Sequence, residues 1–268
     1  MVTLVYSVLF MITNGITPIS QALKEASAAN VDSMSAVYLF IYGLFISLTI
    51  CYLAANSSWR GAKRIIGITV AVFLVASFMT QIETWFFIKD FPLLTVTDIV
   101  LFTIAPLPSI IASVLMGVKF FGSNEPVPGE AAKIEFRELI PRIAVIGIIY
   151  MAVYFIFGYF VAWQFEALRI FYSGASEKVG FIGQLANNVN NNPIIYPFQI
   201  LRGIMFAVFV LPVIYMLREK GRIKIITGIC LLYLCTAIVL ILPNVLFPDA
   251  VRCAHFIEML SPCWSLAL

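Results

Sequence analysis

His255 is the only histidine of this chain, and it stands three residues after Arg252 and three before Glu258 in the apolar stretch VRCAHFIEML. Residues three apart share a helix face, so the imidazole and the carboxylate are placed to work together. Beside carboxylates an imidazole titrates near neutral pH and can pass protons. His and a carboxylate at i and i+3 is also a spacing used by helical metal ligands. Glu83 could complete a three-ligand set, which makes His255, Glu258 and Glu83 the metal candidates, although one histidine is thin provision for zinc. The bland alternatives are a hydrogen-bonded interfacial histidine and the end of a membrane helix frayed into water. The chain has no Gly-x-Ser-x-Gly elbow, HExxH or phosphate-cradling glycine loop, and no cofactor is expected.

Other ionisable side chains interrupt other apolar runs: Glu83, Asp98 and Arg202. Near the centre of a membrane helix a charge costs about 2.5–3.5 kcal/mol on insertion scales, so such groups are expected to face a partner or a wet cavity. Glu83 comes roughly 9 Å of helix before Lys89, Asp98 follows soon after the next run begins, and Arg202 lies roughly two turns into its own. His255 and Glu258 lie at a comparable depth in the last run, so the charges are expected to form one layer in the outer half of the bilayer. Arg202 is the natural hub, because a guanidinium carries five donors and can grip a carboxylate bidentately, and Gln199 lies one turn away on the same face. The solute- or ion-binding candidates are therefore Glu83, Arg202, His255, Glu258, Asp98 and Gln199. Snorkelling from a helix end accounts equally well for Arg252, Asp98 and Glu83, and for Arg202 the alternatives are snorkelling toward the outer face and a purely structural ion pair.

The elements that must position these groups follow from composition. The chain is 62% hydrophobic and 12% charged, where a soluble domain is about 45–50% apolar and about 25% charged; a fold of this length has no interior large enough to hide the excess. The solvent is expected to be lipid, and the fold class all-α, a polytopic transmembrane helix bundle. A bilayer core takes about 20 apolar residues per helix, which predicts seven to eight spans. They run near Val2 to Ile16, Met34 to Leu53, Ile65 to Ile88, Leu93 to Val118, Ile140 to Trp163, Ile194 to Leu217, Ile223 to Leu246, and a truncated-looking Ala250 to Leu268. The first run lacks a basic flank and a cleavage site, and reads as a retained span. Cys51, Cys230 and Cys235 fall inside apolar runs and read as small buried hydrophobes, and no CxxC pair occurs.

Basic residues cluster in the even-numbered connections, at Arg60, Lys63 and Arg64, at Lys119, Lys133, Arg137 and Arg142, and at Arg218, Lys220, Arg222 and Lys224. These connections are expected to be cytoplasmic, with both termini on the same side of a plasma (inner) membrane. The net charge of +3 is small and dispersed, which argues against nucleic acid as a partner; the expected partners are the bilayer and a small solute or ion. Three parts are expected: a first membrane half, 1–121; a polar cytoplasmic linker, 122–139, with a short surface helix; and a second half, 140–268. The outer connection from Gln164 to Pro193, ending in NNVNNNP, is expected to be a surface loop. Laying FPLLTVTDIVLFTIAPLPS (Phe91 to Ser109) on FPDAVRCAHFIEMLSPCWS (Phe247 to Ser265) matches Phe, both prolines and the serine, so the halves are read as a 4+4 parallel internal repeat.

Arg202-Gly203, Leu242-Pro243-Asn244, Val251-Arg252 with Ala254-His255 and Glu258, and Glu83-Thr84 together resemble a pattern in a family of uncharacterised bacterial multi-pass integral membrane proteins. The likeness is close along the last quarter of the chain and looser in the first half. It implies a bacterial plasma-membrane location and no particular activity. It also implies a longer last helix, from which MLSPCWSLAL departs. Three functions are expected in order: a small transporter or solute- or ion-binding protein with a polar pocket in the outer half of the bilayer; a membrane-embedded acid–base or metal-dependent enzyme; and an accessory or sensory subunit whose polar layer only fixes helix packing.

Overall fold

The computed structural model describes residues 1–29, 33–122 and 136–267, with backbone only at 136 and 262–267. Most of the expected linker and its surface helix therefore lies outside the described residues, as does the side chain of Cys263. All regular structure among the described residues is helical. A backbone in lipid must close its hydrogen bonds within its own segment, and the long Leu-, Ile-, Val- and Phe-rich runs do so.

In chain order the helices are α1 (Val2–Ile16), α2 (Gln21–Ala29), α3 (Ser35–Asn56), α4 (Gly61–Phe73), α5 (Met79–Phe86), α6 (Val96–Ile104), α7 (Leu107–Phe121), α8 (Phe136–Phe160), α9 (Glu166–Ser173), α10 (Phe181–Asn191), α11 (Ile195–Phe209), α12 (Leu211–Leu217), α13 (Arg222–Ile238) and α14 (Asp249–Ala267). Six helical stretches among the described residues are long and apolar enough to cross a membrane: Ser35–Asn56, Gly61–Phe86, Val96–Phe121, Arg137–Gln164, Ile195–Lys220 and Arg222–Ile241. Helix α1 is apolar but shorter, and α14 is not among the six. The chain divides into two compact units, one of Met1–Ala131 with Phe209–Phe247, the other of Ala132–Val208 with Pro248–Leu268.

In the first unit α1, α3 and α7 pack against one another, α13 lies on α3, and α4 packs on α7 and α12. Small residues let the seam close: a Cβ on Gly117 would stand 2.8 Å from Ile50 Cγ2 of α3, closer than side chains tolerate. Two of the spans are irregular. Between α4 and α5 the chain makes a π-helical turn, Leu74–Phe78, and α6 gives way to α7 at Ala105–Pro106. The two irregularities meet, because Ser77 Oγ donates to the Thr103 carbonyl at 2.7 Å. A break in a membrane helix leaves carbonyls to be satisfied by neighbours, and here a hydroxyl from the adjacent span does it.

In the second unit α8 and α11 cross where two glycines face each other. A Cβ on Gly203 would lie 2.9 Å from Gly147 Cα and 2.5 Å from Tyr150 Cβ. Helix α9 packs on α14, burying Leu168 to 1% exposure. The connection expected to be a loop is built as two short helices, α9 and α10, and the asparagine tract forms the end of α10. Hydrogen bonds from flanking residues explain the order. Arg169 donates to the carbonyls of Trp163, Gln164 and Ser176; Tyr159 Oη donates to Val179 O and Tyr196 Oη to Leu185 O, each at 2.8 Å. The part of the expectation based on packing agrees, since α10 has no buried residue.

Candidate functional site

Arg202 and Gln199 lie on α11, one turn apart, in an apolar span. Gln199 is fully buried and Arg202 is 4% exposed, so neither faces lipid and the guanidinium does not snorkel. Arg202 Nη1 donates to Gln199 Oε1 at 3.0 Å, and the guanidinium carbon lies 5.8 Å from the ring centres of both Tyr150 and Phe198, within cation–π range. The same Tyr150 is the side chain that presses on Gly203, so the glycine crossing of α8 and α11 sets where the ring meets the cation. Gln199 Nε2 is buried and has no hydrogen-bond partner among the described residues. A buried amide donor without a partner costs about 1–3 kcal/mol, which a bound acceptor would relieve.

The second constellation answers the spacing around His255. Arg252 pairs with Asp249 one turn earlier on α14, while His255 Nδ1 meets Glu258 Oε2 at 2.9 Å one turn later. On the other side of the ring, His255 Nε2 lies 3.1 Å from Tyr172 Oη of α9. A carboxylate can only accept, so the proton between His255 and Glu258 sits on Nδ1. Nε2 then accepts from the tyrosine hydroxyl when the imidazole is neutral and donates when it is charged. Glu258 orients the ring and Tyr172 closes the far end of a proton-bearing chain, carboxylate to imidazole to phenol. Glu258 also lies against α8, its Oε1 3.3 Å from where a Cβ on Gly158 would sit. Tyr150 and Gly158 are separated by roughly 12 Å along α8 at helical rise, so α8 carries the arginine pair and the histidine chain at two levels.

Neither candidate carboxylate of the first unit, Glu83 or Asp98, takes part in these contacts. Glu83 is half-buried on α5, just past the π-helical turn. Asp98 is 1% exposed and closes the N-terminus of α6. Its backbone N–H donates to Thr95 Oγ1, while Asp98 Oδ2 accepts from Thr95 N at 3.0 Å and Thr95 Oγ1 at 2.7 Å. Its Oδ1 accepts from Ser20 N at 2.7 Å. Within each unit, no three His, Cys, Asp or Glu side chains among the described residues gather as a metal site.

No family model, curated protein or solved structure matches this chain. Function is read from the side chains. Tyr172 was not among the residues singled out from sequence, and it comes from an element distant in the chain from His255. The Thr95-x-x-Asp98 box was visible as a capping signature, but a carboxylate in an apolar run draws attention to its charge first.

Proposed function

We propose that this protein binds and moves a small anionic solute or ion across its membrane, with the binding groups in the outer half of the bilayer. The observation that carries the reading is Arg202, protein-buried on an apolar span and seated beside a glutamine whose amide donor has no partner among the described residues. A fixed cation and a spare N–H donor side by side select an acceptor-rich anion such as a carboxylate. The Tyr172–His255–Glu258 chain supplies a titratable group on the same unit, which suits proton coupling. The experiment is a thermal-shift screen of small mono- and dicarboxylates on detergent-purified protein, run in parallel on wild type, Arg202→Ala and Gln199→Leu. Stabilisation by one anion that both variants lose supports the reading; the same stabilisation in Arg202→Ala refutes it.

The reading includes a topology of eight crossings, with α1 and α14 as the short ones, even-numbered connections and both termini cytoplasmic in a plasma membrane, and two parallel halves. Support for the repeat comes from Phe91 and Phe247, matched in the alignment of the halves, whose ring centres are 4.9 Å apart; residues equivalent under a two-fold meet where its axis passes. A second reading, a membrane-embedded acid–base enzyme, is favoured by the Tyr172–His255–Glu258 order, since a carboxylate-oriented imidazole beside a hydroxyl is a general-base arrangement. Elemental analysis separates its metal-dependent form: a stoichiometric transition metal that His255→Ala loses would support that form, and metal-free protein would remove it.

A further inference from the structure

One end of the first unit gathers most of its cations. The turn that follows α3 is tied to its neighbours: Ser58 N donates to the Met216 carbonyl of α12 at 2.7 Å, and Lys224 Nζ of α13 donates to Asn56 Oδ1 at 2.5 Å. Arg64 is buried, and its Nε donates to the Trp59 carbonyl at 2.5 Å. Its guanidinium reaches the end of α7, where a Cβ on Gly122 would collide with Nη1. Lys63 Nζ stands 4.4 Å from the centre of the Trp59 ring, and that ring is wedged against Gly67 and next to Met216. These contacts bring Arg60, Lys63, Arg64, Lys119 and Lys224 to the same end of the unit. Because the start of the span Gly61–Phe86 meets the end of the span Val96–Phe121, Glu83 and Asp98 fall at the opposite end. Among the described residues of the unit, Glu219, between α12 and α13, is the one carboxylate at the basic end.

What lies along the spans from these cations distinguishes a lipid from a soluble anion. Lys63, Ile66 and Val70 follow one another at i, i+3 and i+7 on one face of α4, and all three are exposed. On α7 the residues Ile111, Leu115 and Lys119 repeat the pattern at i, i+4 and i+8, again all exposed. Each stripe is apolar through the span and ends in an ammonium. Helix α4 packs on α7, so the two stripes belong to adjacent helices. A phospholipid has the same profile, with acyl chains against apolar residues and a phosphate at the basic cap, whereas a soluble anion would gain nothing from the apolar part. Arg60, exposed and three residues before Lys63, adds a guanidinium, which grips phosphate oxygens bidentately. Trp59, the ring that holds the Lys63 ammonium, is of the type that settles at the membrane–water boundary, the depth of the head groups. Positive charge is in excess at this end, which favours an anionic head group over a zwitterionic one.

We propose that the basic end of the first unit binds an anionic phospholipid, its head-group phosphate held by Arg60 and Lys63 and an acyl chain laid along Ile66 and Val70. The proposal rests on the long spans lying in a bilayer and is independent of the Arg202 centre. The test is the melting temperature of the whole detergent-purified protein titrated with phosphatidylglycerol or phosphatidylcholine in mixed micelles, with glycerol 3-phosphate as the head-group chemistry without its chains. The expected result is a saturable rise of several degrees with phosphatidylglycerol, a much smaller one with phosphatidylcholine and none with glycerol 3-phosphate. Each basic residue beside anionic lipid contributes about fivefold in binding, so Arg60→Gln/Lys63→Gln is expected to raise the half-saturating phosphatidylglycerol fraction roughly tenfold or more. Both side chains are exposed, so the double variant is expected to fold. Arg142→Gln removes an exposed cation of α8 and is the charge control; it and Arg202→Ala should keep the wild-type lipid response. Equal responses to the two lipids, the same rise with glycerol 3-phosphate, an unaltered response in Arg60→Gln/Lys63→Gln, or an equally large loss in Arg142→Gln overturns the proposal.

Discussion

Replacing Gly203 with alanine tests the link between helix packing and the arginine centre. The added Cβ would stand 2.5 Å from Tyr150 Cβ, 2.9 Å from Gly147 Cα and 3.0 Å from Tyr150 Cγ. Two of these neighbours, a Cα and a Cβ, cannot rotate away. Ordinary contact starts near 3.4 Å, so relieving the 2.5 Å contact requires α8 and α11 to part by about 0.9 Å. Overpacking of this kind costs about 1–3 kcal/mol, offset by up to about 1 kcal/mol of helix propensity that alanine adds over glycine. The net expectation is a loss of about 1–2 kcal/mol and a melting temperature lower by several degrees in detergent. Tyr150 is displaced with the backbone, so the ring facing Arg202 moves as well, and anion-induced stabilisation falls further than stability alone explains. Gly15→Ala, where nothing lies within 4 Å of the new Cβ, is the control and should match or exceed wild type. If Gly203→Ala melts with wild type and keeps its anion response, the close crossing is wrong.

Two other substitutions each probe a contact within one unit. Thr95→Ala removes the capping box at Asp98 and is expected to cost about 1 kcal/mol, within the usual 0.5–2, measured by chemical or thermal unfolding; a neutral result would mean the buried carboxylate finds another partner. Tyr172→Phe leaves the ring but deletes the hydroxyl facing His255, so α9 should loosen from α14 and exchange its amides faster, with α8 unchanged; equal exchange in α9 would show that Leu168 alone anchors it.

The spans were legible because a bilayer leaves little choice: long apolar runs must close their own hydrogen bonds, and all six long helices fall on expected runs. Helical spacing was enough to pair His255 with Glu258 and Gln199 with Arg202, since both pairs are local. Tyr172 was not legible, because the helix that carries it lies far away in the chain and was expected to be an unstructured loop. That expectation rested on the polarity of the tract, which packs no core, but hydrogen bonds from Tyr159, Arg169 and Tyr196 to surrounding carbonyls order the segment. The π-helical turn at Leu74–Phe78 has no sequence marker of its own, whereas Pro106 announced the neighbouring break. Asp98 was read as one of several intramembrane charges, but the threonine three residues earlier already offered it a place at a helix start.

Helix α8 is the least enclosed of the long spans, with 6% of its apolar window buried against 33–44% for the other five. Most of its circumference is therefore in contact with whatever surrounds the protein, and in a bilayer that is acyl chain. Lipid thickness and order then act on this helix almost as solvent quality acts on a polymer. Because α8 holds Tyr150 at one level and abuts Glu258 at another, a change of bilayer composition would reach the arginine and the histidine without touching either directly.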